Sequence, residues 1–257
     1  MSNYFEKKLI YNDIVFRYAK GKSLKSGNEI HSYNEILYYI DGGATFLSEE
    51  FKENLERNSL LIIPKETYHN FKIGNQSKYE RLTIAFPDAS IAPIVLSQIN
   101  IIKNINEIIQ YIINRMLEIL NSENHEEFSV FMYGALLMLI SEIKFDNKNI
   151  SKPQLRENAK LISDCVEYID RNLMSDISIK AISKGINASE SNISHLFKKE
   201  LGISLHQYII EKRMIYAHKL IKAGEKPSKI YSECGYGDYS SFYKAYTKMF
   251  GHSPKND

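Results

Sequence analysis

Apolar positions recur with two different periods along this chain, and the change between them divides it. Over the first 90 residues or so the apolar stretches are short and bounded by Gly, Asn, Pro or charged clusters: Val15–Tyr18, Glu35–Ile40, Ser59–Ile63 and Arg81–Phe86. That spacing predicts the strands of a small sandwich or barrel rather than βαβ units. From about Ile94 to Ile143 the period becomes helical, and Ile101–Leu120 and Glu126–Lys144 are strongly apolar on one side. The most apolar stretch, Phe128 to Ile143, is interrupted by Ser129, Tyr133, Gly134, Ser141 and Glu142 and reads as a buried helix, well short of a membrane span. Asp146 to Pro153 is polar, lacks a period and reads as a linker. Beyond it the pattern predicts helices over Leu155–Asn172, Ile179–Lys184, Ser189–Glu200, His206–Lys222, Ser228–Cys234 and Asp238–Met249. The expectation is an α+β chain: a β-rich barrel with two apolar helices over residues 1–145, then an all-α domain over 155–257.

The all-α part contains one pattern twice. S-E-S-N-I-S-H-L-F-K-K-E-L-G-I-S from Ser189 is followed, at a constant offset of 49, by D-Y-S-S-F-Y-K-A-Y-T-K-M-F-G-H-S from Asp238. Each copy opens on a helix N-cap residue, Ser189 or Asp238, and closes on a glycine suited to helix termination. With Ile193, Leu196 and Phe197 inward, Glu190, Ser191, Ser194, His195 and Lys198 face out; with Phe242, Ala245 and Tyr246 inward, Tyr239, Ser240, Tyr243 and Lys244 face out. Small, polar and aromatic groups of this kind suit a major groove, and helix N-termini with flanking lysines suit phosphates. An ordinary solvated helix face accounts for either copy alone. Their repetition predicts two helix-turn-helix units in tandem, able to engage grooves about 34 Å apart.

Charge is consistent with this. The chain of 257 residues is near neutral, but residues 151–257 carry 17 Lys+Arg against 12 Asp+Glu, whereas the first 150 carry 16 against 19. Cys165 and Cys234 have no C-x-x-C spacing, which excludes a sequence-encoded zinc ribbon or disulfide framework and suits a reducing cytoplasm. The N-terminus shows no signal-peptide pattern, and no membrane association is expected.

Two resemblances add to the reading. I-x4-G-Y-G-D-x-S-x-F-x-K-x-Y-x-K-x-F-G-x-S-P, from Ile230 to Pro254, resembles the C-terminal signature of the AraC family of bacterial transcription regulators, and Leu196 to Ala217 resembles the preceding part of the same domain. The resemblance implies seven helices with two helix-turn-helix units joined by a long helix. Base reading then falls on Ser191, Ser194 and His195 and on Tyr239, Ser240, Tyr243 and Lys244. Phosphate or positioning roles fall on Ser189, Lys198, Lys199, Arg213, Asp238 and Lys248, with Arg213 matching an arginine at the start of the linking helix. Tyr231 stands where the family usually has alanine, Asn187 where glycine is common in the turn, and the sequence stops at Asp257 before a frequent Tyr-Arg pair.

The N-terminal strands are similar to the cupin-like arm of sugar-sensing AraC regulators. Glu29-x-His31, Glu35 and Gly42 follow the first cupin motif with Glu29 in its first histidine position; Asn58, Pro64 and His69 follow the second with Asn for Gly. His31, Glu35, His69 and Glu29 are of types that ligate a divalent metal. They equally suit a polar lining around an organic ligand, or half-buried strand positions. His31, Tyr33, Glu35, Leu37 and Tyr39 share a strand face that would hydrogen-bond a hydroxylated ligand and stack on its apolar side. The reading carried forward is an effector pocket at His31, Tyr33, Glu35 and His69, with no metal and no cofactor.

The expected protein is a non-enzymatic, cytoplasmic, sequence-specific regulator that binds double-stranded DNA and a small, sugar-like effector. It is expected to meet RNA polymerase if it activates, and to dimerise through the helices over 101–144, where Phe131, Leu137 and Ile140 suit either an interface or the domain's own core. The competing function is a metal-dependent cupin enzyme with a helical appendage, which leaves the repeat unexplained.

Overall fold

Strands that are apolar at every position need cover on both faces, and the N-terminal half supplies it. The computed structural model describes residues 4–22, 28–74, 78–88, 98–145, 150–151, 155, 158–175 and 177–256. Its strands are β1 (Phe5–Tyr11), β2 (Ile14–Lys22), β3 (Asn28–Glu29), β4 (Asn34–Asp41), β5 (Ala44–Ser48), β6 (Lys52–Asn54), β7 (Ser59–Ile63), β8 (His69–Ile73), β9 (Lys78–Phe86), β10 (Asn100–Ile102) and β11 (Ile150–Ser151). They form a seven-stranded sheet, β1-β2-β9-β4-β7-β10-β11, and a four-stranded one, β3-β8-β5-β6.

Along β4 and β7 alternate residues go to different cores. Ile36, Tyr38, Leu60 and Ile62 pack under two helices, α1 (Glu107–Asn121) and α2 (Ser129–Phe145). Leu37, Tyr39, Leu61 and Ile63 pack between the sheets against Phe46 and Phe71. Asn106 caps α1 by accepting from the Ile109 N–H at 2.8 Å.

In the C-terminal half, four caps are made as their sequence predicts. Ser178, Ser189, Ser204 and Asp238 accept from Ala181, Asn192, Gln207 and Ser241 N–H groups. They open α4 (Ile179–Gly185), α5 (Glu190–Leu196), α6 (Leu205–Lys222) and α8 (Tyr239–Phe250); α3 is Ala159–Asn172 and α7 is Pro227–Ile230. After Leu196 the chain makes one wider turn, Phe197–Leu201, and stops at Gly202 with φ +76°; α8 stops at Gly251 with φ +79°. Asn187 takes φ +54° in the first turn, as expected for an asparagine in glycine's place. Six helices are formed here among the described residues, one fewer than the family resemblance implies.

Each helix-turn-helix unit has its own small core, and α6 spans both. Tyr208 and Ile209 close the first with Ile182, Ile193 and Phe197; Met214, Ala217 and Ile221 close the second with Ile230, Phe242 and Tyr246.

The four strand predictions fall inside β2, β4, β7 and β9, and the helices lie near their predicted places, with four corrections. Ile101 and Ile102, predicted as the start of a helix, pair with Leu61 and Leu60 as β10, because a fully apolar run satisfies a buried strand as well as a helix. Leu155, predicted as a helix start, is an isolated bridge to Phe51, and α3 begins at Ala159. Of the predicted linker, Ile150–Ser151 pairs with β10 as β11; Asp146–Asn149, Lys152 and Pro153 lie outside the described residues, as do Ile94–Ser97. Finally, His125–Phe145 is, by length and composition, one helix apolar enough to cross a membrane. Its Met132, Leu136, Leu139, Ile140 and Ile143 are nonetheless buried in the core under the large sheet.

The halves touch through buried tyrosines. The Tyr68 hydroxyl donates to the Leu201 carbonyl at 2.7 Å, the Tyr208 hydroxyl donates to Glu49 at 2.5 Å, and the two rings lie 5.7 Å apart. Burial pushes the Glu49 carboxyl up, against the pull of Lys212 and the Tyr208 bond. Tyr68→Phe is expected to cost about 1–2 kcal/mol of unfolding free energy, the usual cost of an orphaned buried carbonyl. Urea unfolding would read it, and an unchanged midpoint would show that the bond does not hold the halves together.

Candidate nucleic-acid interface and sensing pocket

Capping fixes where each second helix begins, and so which side chains it shows to solvent. Ser191, Ser194, His195, Lys198 and Lys199 are exposed on α5 and the turn after it, while Ile193, Leu196 and Phe197 are buried. On α8, Ser240, Tyr243, Lys244 and Lys248 are exposed, and Phe242 and Tyr246 are buried. Tyr239 differs from its expected place: it is half-buried, edge-on to Tyr231 and 6.0 Å from Phe242, so much of its ring packs the unit. The unusual Tyr231 thus has a packing role. Tyr243 stands beside Tyr239 at 6.3 Å. Ser189 and Asp238 spend their side-chain oxygens on caps.

Arg213 also differs from expectation. It lies midway along α6 rather than at its start, and its guanidinium donates to the carbonyls of Leu173 (3.1 Å), Ser175 (2.8 Å) and Gly235 (3.2 Å). It ties the end of α3 to the turn between α7 and α8. Gly235, at φ +75°, accepts this approach because a Cβ there would fall 2.3 Å from the guanidinium carbon.

In the N-terminal half the four expected pocket residues come together. The His31 and Tyr33 rings stack at 3.8 Å, and the His69 ring is 4.9 Å from that of His31. Glu35 Oε2 lies 3.1 Å from His31 Nε2 and 3.5 Å from His69 Nε2; Glu29 Oε2 is 3.7 Å from His69 Nε2. Burial alone would raise the Glu35 carboxyl, but hydrogen bonds and charge from His31 and His69 hold it far below the usual carboxylate range. Burial likewise opposes charge on His69, yet Glu29 and Glu35 outweigh it and push its pKa up to about 9. Burial, then Glu35 and Glu29, push the Tyr33 hydroxyl up.

A cleft of about 650 Å³ opens from this cluster between the two halves. One wall is Arg17, Glu29, Ile30, His31 and Tyr33; the other is formed by α6 and α8, including Gln207, Glu211, Lys244 and Lys248.

Comparison with known proteins matches residues 182–256 to the helix-turn-helix domain family. The lactose operon transcription activator of Staphylococcus xylosus is 27% identical over 241 residues, 93% of this chain and 83% of its own. A probable transcriptional regulator of Photobacterium leiognathi, LumQ, is 35% identical over 111 residues, 43% of this chain and 42% of its own. Several other curated relatives are likewise spanned over only about half their length, as with the YdeO regulator of Shigella flexneri at 56%. These similarities support the resemblance of this chain to AraC-type transcription regulators. A solved structure of ToxT from Vibrio cholerae aligns over 100% of this chain and 93% of that one, at 12% identity and TM-score 0.44.

The C-terminal half thus carries a helix-turn-helix domain of the kind found in AraC-type DNA-binding transcription regulators. Sequence reasoning missed Arg17 and Arg81 at the pocket, which line a smaller cavity of about 290 Å³ with Glu29, Tyr33 and Glu35. The available signal was an arginine next to buried apolar positions of β2 and β9, Arg17 between Phe16 and Tyr18 and Arg81 before Leu82, which places it on the opposite sheet face. Gln207, Glu211, Lys244 and Lys248 reach the same cleft from the regulator's other half, and no local pattern announces that.

Proposed function

We propose that this regulator reads two successive major grooves with α5 and α8 and is switched by a small, sugar-like effector held at His31, Tyr33, Glu35 and His69. The observation that carries the reading is the shared cleft: His31 and Tyr33 of the pocket cluster and Lys244 of the second recognition helix line the same space. A molecule there that prefers one placement of α8 biases DNA binding by its differential affinity for the two placements. A volume of this size, an aromatic stack and converging carboxylate, imidazole and guanidinium groups suit a hydroxylated ligand. The Staphylococcus xylosus relative, named as the activator of a lactose operon, supports a carbohydrate effector. In this reading residues 1–145 sense and 155–257 bind DNA; Ser191, Ser194, His195, Tyr239, Ser240, Tyr243 and Lys244 face bases, and Lys198, Lys199 and Lys248 face phosphates.

A second copy of the chain covers the outer face of the N-terminal helices, where Ile108, Tyr111, Val130, Phe131 and Met138 are exposed. Ile140 is buried in the core and Leu137 packs against it, leaving Phe131 available to the partner. RNA polymerase is the further partner if the regulator activates. None of these roles requires catalysis.

Gel retardation with the promoter adjoining the gene tests the reading. Lys244→Ala with Tyr243→Ala is expected to weaken specific binding about tenfold or more, since one good base contact supplies ~1–3 kcal/mol. Unchanged operator affinity in the double variant would remove α8 as a base reader.

A further inference from the structure

Two adjacent residues join the sensing cluster to the DNA-binding half. Tyr68 immediately precedes β8 and His69 is its first residue. Their side chains part, as successive side chains do at the start of a strand. His69 turns into the sensing cluster, its Nε2 3.5 Å from Glu35. Tyr68 turns the other way and is fully buried in the core of the first helix-turn-helix unit, with Phe197, Leu201 and Tyr208. Among the described residues of the N-terminal half, Tyr68 alone joins that core. Its hydroxyl donates to the Leu201 carbonyl at 2.7 Å, and Glu49 makes a second tie by accepting from the Tyr208 hydroxyl at 2.5 Å. Both ties flank one point of the small sheet: Ser48 of β5 pairs with His69 of β8, and Glu49 and Tyr68 are their chain neighbours.

These ties decide how α8 is presented. Tyr208 lies on α6, an unbroken helix of 18 residues, about 27 Å long. Farther along it, Met214, Ala217 and Ile221 anchor the second unit, so that unit moves with whatever holds Tyr208. Lys244 and Lys248 of α8 face Arg17, Glu29 and Tyr33 across the cleft of about 650 Å³, which holds a small molecule and not a duplex. A helix about 10–12 Å across fills a major groove about 12 Å wide, so groove walls must pass along both flanks of α8. The N-terminal half occupies the space along one flank. For α8 to enter a groove the N-terminal half must swing clear, and that breaks the ties at Tyr68 and Glu49.

We propose that Tyr68 and Glu49 form an autoinhibitory latch, closed on the first helix-turn-helix unit, that withholds α8 from DNA until a change at His69 releases it. The proposal rests on the reading of α8 as a recognition helix and adds its regulation. A ligand that displaces His69 acts on Tyr68 through the one peptide bond between them. Apparent operator affinity is reduced by the fraction of molecules that are open, so weakening the latch raises it.

Gel retardation of the full chain with the promoter adjoining the gene tests this. Tyr68→Phe and Glu49→Ala should each bind the operator about three- to tenfold more tightly, the change that loss of one ordinary hydrogen bond from the closed state produces. A contact with a structural role only would lower stability without raising DNA affinity. Glu49 belongs to none of the apolar cores, so its variant keeps the measurement meaningful if Tyr68→Phe folds poorly. Glu50→Ala removes the same charge at the exposed neighbouring position and should leave affinity unchanged. Unchanged or weaker binding in Tyr68→Phe and Glu49→Ala, or an equal gain in Glu50→Ala, would overturn the latch. The reading of α8 stands on the opposite signal, the loss of binding in Lys244→Ala with Tyr243→Ala, so the two fail separately.

Discussion

Replacing Arg213 by alanine is expected to lower the free energy of unfolding by about 4–5 kcal/mol and to reduce specific DNA binding with it. The side chain donates to three carbonyls, at Leu173 and Ser175 just after α3 and at Gly235 in the second helix-turn-helix unit. A hydrogen bond from a charged donor contributes ~1.5–3 kcal/mol, and the half-exposed site argues for the lower end of each. Neighbouring chain cannot close the gap, because Gly235 is already held at φ +75° by its turn. Arg213→Lys should recover less than half of the loss, since an ammonium is a point donor and cannot span the carbonyls as the planar guanidinium does. The expectation also separates two roles. A phosphate-binding arginine would leave stability intact and flatten the salt dependence of DNA binding. A brace costs stability first. Urea unfolding beside gel retardation reads both, and a loss below about 1 kcal/mol would return Arg213 to the DNA surface.

That arginine shows what was legible in the sequence. The features that depend on a few adjacent residues came through: the caps at Ser189 and Asp238, the terminating Gly202 and Gly251, the left-handed Asn187, and the alternation along β4 and β7. These are set by local sterics and hydrogen bonding. What failed depends on partners far along the chain. Ile101 and Ile102 are strand only because β7 offers an edge. Tyr239 is half-buried only because Tyr231 and Phe242 stand beside it. The pocket's four residues were readable from their spacing, whereas Arg17 and Arg81 arrive by the pairing of β2 with β9 and of β9 with β4. The opposite wall of the cleft comes from helices about 180 residues away, where no periodicity can point. The orientation of the two imidazoles comes from the Tyr33 and Thr67 carbonyls, which no side-chain motif encodes.

The buried cluster also sets a pH dependence of stability that is expected to be large. His69 is held with its pKa raised from 6.5 to about 9, burial opposing the charge and Glu29 and Glu35 more than restoring it. A raised folded pKa contributes stability that is fully present below 6.5 and is lost as pH rises through about 9. At 1.36 kcal/mol per pKa unit the loss is on the order of 3 kcal/mol. Glu35 shifts the other way, so its contribution is present above the ordinary carboxylate range and fails only in strong acid. Both describe one contact, and the loss is counted once. Stability should therefore be highest between the ordinary carboxylate pKa and 6.5, then fall toward pH 9. His69→Gln should be less stable than the native chain at pH 6 and should show a shallower alkaline decline, because a neutral amide has no proton to lose. Urea unfolding at pH 6, 7.5 and 9 compares the two slopes directly, cancelling the groups they share. Parallel profiles would mean that His69 is neutral throughout and that the carboxylates are balanced from elsewhere, with Arg81 the nearest candidate, since Glu35 and Glu29 already act to raise its pKa.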